Sequence, residues 1–334
     1  MLSMLLRHSF KSEEERMANA YLSVKAAREA VGLQVESGES WYVLGNAYLH
    51  LFFVASSDES DLNRALQGYR QAEGCCQSPI APTTFSAADL YYNRAQVYRF
   101  ASSFQHAVDG FLQAEALDST LGAGELASNL AMLVMKAAVL VQKMQTHPPA
   151  NKHGSPVVLS SSPSTTTTTS MSSSSSVAGG AELPKSLHGL PVVPLESLLS
   201  VMASPGSAPP SPTATSPAPL ACAIVARVEL HLTQHDASAL PQIYLVREEG
   251  STSDGSGAME GRAFALHLFG SRGGKAGDWV GITHPVVKSI RLVWEEKTYT
   301  YPSIAVYNAA DVWWNGKASD VGSFVPAAYG IRAK

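Results

Sequence analysis

The chain has 334 residues, of which 45% are hydrophobic, and a formal net charge of −4 at pH 7. This is enough length and apolar content for two modest domains with their own cores, so a wholly disordered chain is excluded. No apolar run approaches the roughly 18 residues of a membrane span, and no region is basic (residues 221–334 hold 11 Lys and Arg against 11 Asp and Glu), so we expect neither a membrane protein nor a large phosphate-binding surface.

The first part of the chain, residues 1–145, has the spacing of paired helices. The first half of a tetratricopeptide repeat, W-x-x-L-G-x-x-Y, is matched at Trp41, Leu44, Gly45 and Tyr48, and its second half at Ala65, Tyr69 and Ala72. These halves lie about eight residues farther apart than a repeat of roughly 34 residues allows. Residues 53–61 are therefore predicted to be a loop inserted between two helices.

A second unit follows at the usual spacing. Its helices are marked by Tyr91, Ala95 and Tyr98 and then by Ala107, Phe111 and Ala114. Residues 1–10 and 16–35 predict an earlier helix pair, and residues 124–144 a closing helix. The small residues let paired helices approach closely, and the aromatic rings fill the space between pairs, so we assign these positions to the core.

Residues 146–220 are dominated by Ser, Thr, Pro and Ala, including the runs 165–169 and 172–176. Such a segment cannot bury enough apolar area to offset its ordering entropy, which predicts a disordered low-complexity linker. Residues 190–202 are the exception, because their Val and Leu side chains are typical of a short docked helix or strand.

The last part, residues 221–330, has the alternation of β-strands. In residues 224–232 one face carries Ile224, Ala226, Val228, Leu230 and Leu232. Further strands are predicted at 242–247, 262–269, 279–283, 287–294 and 298–307, with a short extension at 311–314. Five or six strands separated by glycine-rich turns favour a small closed barrel, and residues 277–281 (GDWVG) resemble a turn and strand common in OB-folds.

Cysteines and histidines give no sign of catalysis. The three cysteines are an odd number without metal-binding spacing, which is typical of a reducing compartment. None of the ten histidines lies in a nucleophile motif, a metal-binding spacing or a phosphate loop. We therefore expect a non-enzymatic protein with no cofactor and no metal.

Three segments resemble the tetratricopeptide repeat protein five (Strap) family: residues 1–7 (MLSMLLR), 40–49 (SWYVLGNAYL) and 89–95 (DLYYNRA). The resemblance, which includes the C-terminal barrel, implies a multidomain α + β protein with a helical solenoid, a linker and an OB-fold-like barrel, shortened at its N-terminus. It implies an adaptor of the cytoplasm and nucleus that recognises the N-terminal Met-Arg-Glu of nascent tubulin on the ribosome and triggers tubulin mRNA decay. It also implies a second setting, nuclear stress-response coactivation with transcription cofactors.

In that family the peptide lies in the repeat groove and contacts an arginine matching Arg7 and an aspartate matching Asp89. Positions facing the concave side add the rest of a predicted peptide-binding set: Glu39, Tyr42, Asn46, Tyr92, Asn93, Gln96 and Arg99. A peptide with adjacent Arg and Glu needs one anionic and one cationic partner. The alternative is that Asp89 caps helix 90–99 and that Arg7 is a solvated surface residue. Only Lys136, Lys143 and Lys152 follow the array, fewer basic residues than ribosome docking implies.

Nucleic-acid binding by the barrel is a weaker alternative. Aromatic rings for base stacking are available at Trp279, Trp294, Tyr299, Tyr301, Trp313 and Trp314. The neutral charge of this region argues against a cationic track, and rings that seal the barrel explain the same pattern.

Overall fold

A computed structural model of the protein describes residues 1–76, 85–146, 186–187, 189–202, 221–234, 241–248, 262–269 and 273–319. Within the first two ranges, the long helices are α1 (Leu2–His8), α2 (Glu13–Leu33), α3 (Gly38–Leu51), α4 (Glu59–Cys76), α5 (Ala87–Phe100), α6 (Phe104–Leu117) and α7 (Ala123–Thr146). They pack in sequence as antiparallel pairs, most closely α3 with α4 and α5 with α6. The predicted helices of residues 1–145 are confirmed, including the closing helix.

Serine side chains begin three of these helices. Ser12, Ser37 and Ser86 each accept a hydrogen bond from the backbone N–H three residues later, which satisfies one of the free donors at a helix start. Three glutamates follow Ser12 in the first turn of α2, where they complement the helix dipole.

The closest helix contact is made at glycines. A Cβ on Gly45 would lie 2.7 Å from the ring of Tyr69, and one on Gly68 would lie 2.9 Å from the backbone nitrogen of Gly45. Tyr69 itself is completely buried. Small residues at these positions therefore let α3 and α4 approach, as the repeat pattern predicts.

The expected loop at residues 53–61 is wrong in its first half. A π-helical turn, Phe52–Ser56, continues α3, and Ser57 ends it with a positive φ of 47°. Phe52 and Phe53 are buried, and the ring of Phe53 packs edge-on against Phe100 with centroids 4.4 Å apart. The extra residues extend the helix because their two aromatic side chains have a core to enter, which is a tertiary effect with no local signature.

The later part of the chain forms strands. They are β1 (Ser186–Leu187), β2 (Leu190–Pro191), β3 (Ala223–His231), β4 (Gln242–Arg247), β5 (Ala263–Leu268), β6 (Trp279–Thr283), β7 (Val286–Trp294), β8 (Lys297–Val306), β9 (Val312–Trp314) and β10 (Lys317–Ala318). All strands predicted within residues 221–330 are confirmed. One inward position fails: the register shifts between Val228 and Leu230, and Leu230 is 39% exposed, because a bulge re-aims the side chains that follow it.

Eight of these strands form one mixed sheet, in the order β10-β9-β6-β3-β4-β5-β8-β7, with β5 and β8 parallel and the other neighbours antiparallel. Among the described residues its two edge strands are not hydrogen-bonded to each other, so the sheet is not closed. However, β6 and β7 lie in opposite halves of this order and are joined only by His284 and Pro285. The strand ends Thr283 and Val286 are three residues apart in sequence and so at most about 11 Å apart, which requires the sheet to curl strongly.

The sheet packs directly against the helices. Phe269, Ala305 and Tyr307 belong to the same core cluster as Phe52, Phe53 and Phe100, and strands β4, β5, β7 and β8 share a second cluster with α6 and α7. At the edge of the first contact, Lys288 Nζ lies 2.6 Å from Glu59 Oε1 and donates to Ala101 O and to Tyr307 Oη, at 2.8 and 2.9 Å. We call this set of residues, Phe52, Phe53, Glu59, Phe100, Ala101, Phe269, Lys288 and Tyr307, the helix–sheet interface.

Helix α7 is unusually apolar. Among the described residues it is the one helix long and apolar enough to cross a membrane, a test that core helices also pass. One face, rich in alanine, packs against α6 and the sheet, with Ala127, Ala131 and Val134 fully buried. That packing accounts for the apolar residues of this face, whereas Met132 and Val139 on the rest of the helix are each 55% exposed.

The exception predicted within the linker is present. Residues 195–202 form helix α8 (Leu195–Met202), and Leu195 and Leu198 pack into the core of the sheet. The carboxylate of Glu248 accepts a hydrogen bond from the backbone N–H of Leu195 at the start of this helix. The prediction of disorder is wrong at residues 186–187, which pair with residues 190–191 as strands β1 and β2 because Leu187 is buried. Residues 147–185, 188 and 203–220 of the predicted linker lie outside the described residues.

Candidate functional site

A buried polar network joins three helices of the array. The side-chain amide of Asn93 on α5 donates to Tyr42 Oη (2.8 Å) and to Asn46 Oδ1 (3.2 Å), both on α3. The hydroxyl of Tyr69 on α4 donates to the same oxygen of Asn46 at 2.6 Å. Each of the four side chains is at most 6% exposed. Buried polar groups of this kind fix one arrangement of the helices, because an unmade hydrogen bond is expensive there.

Two charged side chains adjoin this network. Arg7 on α1 is 4% exposed and Asp89 on α5 is 8% exposed. Burial and the negative charge of Asp89, opposed by the positive charge of Arg7, raise the pKa of Tyr42 to about 12. Both charges therefore act on one hydroxyl. We call Arg7, Tyr42, Asn46, Tyr69, Asp89 and Asn93 the polar cluster.

The alternative in which Arg7 is a solvated surface residue and Asp89 caps its helix is wrong in both parts. Arg7 is buried rather than solvated. Ser86 is the N-cap of α5, and its hydroxyl oxygen accepts from the backbone N–H of Asp89, so Asp89 is the third residue of the helix and lies in its first turn. Asp89 is therefore not the cap, and it is 8% exposed.

The structure brings five predicted site residues together: Arg7, Tyr42, Asn46, Asp89 and Asn93. The other four lie differently. Glu39 is exposed, Gln96 is buried, Arg99 is half-buried, and the ring of Tyr92 packs against Phe111, with centroids 5.6 Å apart, in the core between α5 and α6. The assignment of all nine residues to a peptide site stays a prediction.

Two side chains of the cluster region are missing from the predicted site. The sequence pattern assigns Tyr69 to the core, and its ring is in the core, but its hydroxyl completes the polar cluster. Phe85 stacks on Tyr42 with centroids 4.8 Å apart and planes 7° from parallel. A buried tyrosine normally needs a hydrogen-bond partner, which is the signal that Tyr69 offers.

His50 lies near the cluster and is neutral at physiological pH. Burial, together with the positive charges of Arg7, Arg16 and His8, lowers its pKa to about 4. An added positive charge is therefore disfavoured on this side of α3.

The cluster offers groups that can recognise a ligand. Its members are a guanidinium, a carboxylate, two amides and two phenols, a set that provides donors and acceptors of both charges. Among the residues that the structure describes, no group of three or more His, Cys, Asp or Glu could hold a metal ion.

The aromatic rings of the sheet are largely used in packing. Trp279 and Tyr301 are buried, Trp294 and Tyr299 pack against the cluster that contains α7, and Trp314 packs against Tyr244. Glycines make room for Trp314, since a Cβ on Gly274 would lie 2.2 Å from its ring. These contacts favour the sealing role of the rings over base stacking.

Comparison with known proteins finds relatives over about a third of the chain. No family model matches the chain. Tetratricopeptide repeat protein 5 of mouse is 39% identical over 118 residues, and those of human and cattle are each 37% identical over 118 residues. The match covers 35% of this chain and 26% of each relative, so the chain spans about a quarter of the length of the curated relatives it matches. Over those 118 residues the chain is similar to tetratricopeptide repeat protein 5, a similarity that agrees with the paired helices of tetratricopeptide type described above.

Proposed function

We propose that the polar cluster is the binding site for a short protein segment that carries adjacent side chains of opposite charge. The observation that carries this proposal is that a cation and an anion from different helices, Arg7 and Asp89, are both buried, at 4% and 8% exposed, beside the hydrogen-bonded network of Tyr42, Asn46 and Asn93. An arginine in the segment would pair with Asp89 and a glutamate with Arg7. Charge-assisted hydrogen bonds of this kind are about twice as strong as neutral ones.

Access to the cluster is limited, because its charged members are 8% exposed or less. A ligand can reach them only after a local opening of the array. The free energy of that opening reduces the apparent affinity by the fraction of molecules that are open. It also places the association rate at or below the ordinary range for proteins, about 10⁵ to 10⁷ M⁻¹s⁻¹.

The finer proposal follows the resemblance to the tetratricopeptide repeat protein 5 family. We propose that the segment is the N-terminal Met-Arg-Glu of nascent tubulin and that the protein acts as an adaptor in tubulin mRNA decay, without catalysis of its own. Its site of action would be the cytoplasm, with a nuclear population for coactivation. We further propose that the curled sheet is an OB-fold-like barrel, supported by the two-residue connection between β6 and β7.

A peptide titration of the full chain tests the proposal without altering the protein. The full chain is needed because the array packs against the sheet. Three labelled peptides would be compared by fluorescence anisotropy: one beginning Met-Arg-Glu, one with Arg and Glu exchanged, and one with both replaced by Gln. We expect micromolar binding of the first alone. Equal binding of all three peptides would contradict the charge-pairing proposal.

Substitutions that remove the charge of a single side chain then assign the contacts. Arg7→Gln and Asp89→Asn should each weaken binding of the Met-Arg-Glu peptide by about 1.5–3 kcal/mol. The exposed residues Lys136 and Asp109 provide matched controls, Lys136→Gln and Asp109→Asn, which should leave the affinity unchanged. If both cluster variants fold and bind as tightly as the controls, the site is elsewhere.

A further inference from the structure

A second cleft lies on the other side of helix α3. It has a volume of about 500 Å³ where α2, α3 and the start of α4 meet, and its walls include Tyr21, Lys25, Arg28, Tyr48, Leu51 and Arg64. Tyr48 follows Asn46 by two residues, and such positions point to opposite sides of a helix. The cleft is therefore separate from the polar cluster.

Two arginines converge on one tyrosine in this cleft. The guanidinium carbons of Arg28 and Arg64 lie 5.4 and 5.8 Å from the ring centroid of Tyr48. Arg28 Nε also donates to Tyr48 Oη at 2.7 Å. Tyr48 is 5% exposed, so a buried ring and its hydroxyl hold the exposed guanidinium of Arg28 in a defined position. A guanidinium held in this way needs less reordering when it binds an anion.

The three carboxylates that line the cleft differ in whether they already have a hydrogen-bond or ion-pair partner. Asp58 accepts hydrogen bonds from the backbone N–H and the hydroxyl of Ser60, and Asp61, whose side chain is 4% exposed, pairs with Arg64 Nη1 at 2.7 Å. Glu29 is exposed at the rim. Two of the three acids are thus already engaged.

The cations of α2 are not engaged in the same way. Within the described residues no carboxylate oxygen lies within 4 Å of Lys25 or Arg28, although the two side chains stand three positions apart on one face of α2. Arg64 uses Nη1 for Asp61 and remains half exposed. The cleft thus brings together Lys25, Arg28 and the exposed part of Arg64, and of the three acids in its walls Asp58 and Asp61 are already engaged, with Ser60 and Arg64.

We propose that this cleft binds an oxyanion carried by a side chain of a partner protein segment, a phosphoserine or a glutamate. The guanidinium of Arg28 would donate to two of its oxygens, with Lys25 adding a single charge. Val24 and Leu51 in the same walls would contact an apolar neighbour of the acidic residue. Phosphate is favoured over carboxylate because it offers three acceptor oxygens and close to two negative charges.

Calorimetric titration of the full chain with three matched peptides tests this proposal. The peptides share the sequence Leu-x-Leu and differ at x, which is phosphoserine, glutamate or serine. We expect affinity to fall in that order. Inorganic phosphate at millimolar concentration should compete with the phosphopeptide, since the oxyanion supplies most of the recognition. Equal affinity for the serine peptide would overturn the proposal.

Variants identify the site and separate it from the polar cluster. Arg28→Gln and Lys25→Gln, both at exposed positions, should each weaken binding of the phosphopeptide about ten-fold or more, and Lys136→Gln should not. Tyr48→Phe keeps the ring but removes the hydroxyl that positions Arg28, so a smaller loss is expected. Binding of the Met-Arg-Glu peptide should be unchanged in all of these variants. Undiminished phosphopeptide binding by Arg28→Gln would sink the assignment.

Discussion

The polar cluster of the array and the helix–sheet interface solve the same problem of buried charge in different ways. At the interface, Lys288 has Glu59, a backbone carbonyl and Tyr307 as partners within 2.9 Å, surrounded by aromatic rings. In the array, amides and phenols share hydrogen bonds, and Arg7 and Asp89 act on them from two helices. A single ion with all donors used is suited to holding two parts of a molecule together. A shared network with charges of both signs is suited to exchanging partners.

The largest effect is expected at the interface. The side chains of Lys288 and Glu59 are both at most 15% exposed. Lys288→Ala leaves the carboxylate of Glu59 without its cation and should lower the free energy of unfolding by about 3–5 kcal/mol. Urea denaturation measures this. The double change Lys288→Met with Glu59→Leu should recover most of the loss. Arg262→Ala, which breaks an exposed pair with Glu196, is the control and should cost at most about 1 kcal/mol.

Acid should weaken both regions through one histidine in each. His267 lies on the sheet side of the interface, where burial and the positive charge of Lys288 lower its pKa to about 3. His50 lies in the array, where burial is the main cause that lowers its pKa to about 4. Both values lie below that of an unfolded histidine, about 6.5, so the folded state binds fewer protons. Stability is fully present above pH 6.5 and declines as the pH falls towards 4 and 3.

The expected loss at pH 5 is about 2 kcal/mol for each histidine. Urea midpoints at pH 7 and pH 5 measure it. His267→Gln and His50→Gln should each flatten the pH dependence by its own share. Identical pH profiles for the two variants and the unmodified protein would show that neither histidine is buried in solution.

A smaller effect is expected within the network. Asn46→Ala removes the acceptor shared by Tyr69 and Asn93 and should lower stability by about 1–3 kcal/mol, because buried donors are left without it. Asn46→Leu keeps a similar side-chain volume without an acceptor and so separates hydrogen bonding from side-chain volume. Thermal unfolding distinguishes them: an alanine variant as stable as the unmodified protein would mean that the network is not formed.

The smallest effect concerns two glycines of α4. A Cβ added at Gly74 would meet no atom within 4 Å, so Gly74→Ala should raise stability by about 0.5–1 kcal/mol through helix propensity. At Gly68 the same change places a methyl group against the backbone of Gly45 and should be destabilising. Opposite signs in urea denaturation would confirm the close approach of α3 and α4, and equal signs would contradict it.

The two regions also differ in how many of their residues could be predicted from the sequence. Five members of the polar cluster are predictable because Tyr42, Asn46, Asp89 and Asn93 stand at repeat positions and Arg7 lies in a recognised segment. The interface is not, since Lys288 and Glu59 are 229 residues apart and no period connects them. The π-helical turn at Phe52–Ser56 escapes prediction for the same reason. Local patterns specify which face of an element is buried, but not which distant element covers it.

The interface has a consequence for how the chain is made. Lys288 emerges from the ribosome 187 residues after Ala101, its partner. At 5–20 residues per second, that is a delay of roughly 10–40 seconds. For this interval Phe52, Phe53 and Phe100 lack the rings of Phe269 and Tyr307 that cover them in the finished protein. Newly made helices therefore expose more of these aromatic side chains until the sheet is complete, and transiently exposed apolar surface of this kind promotes aggregation.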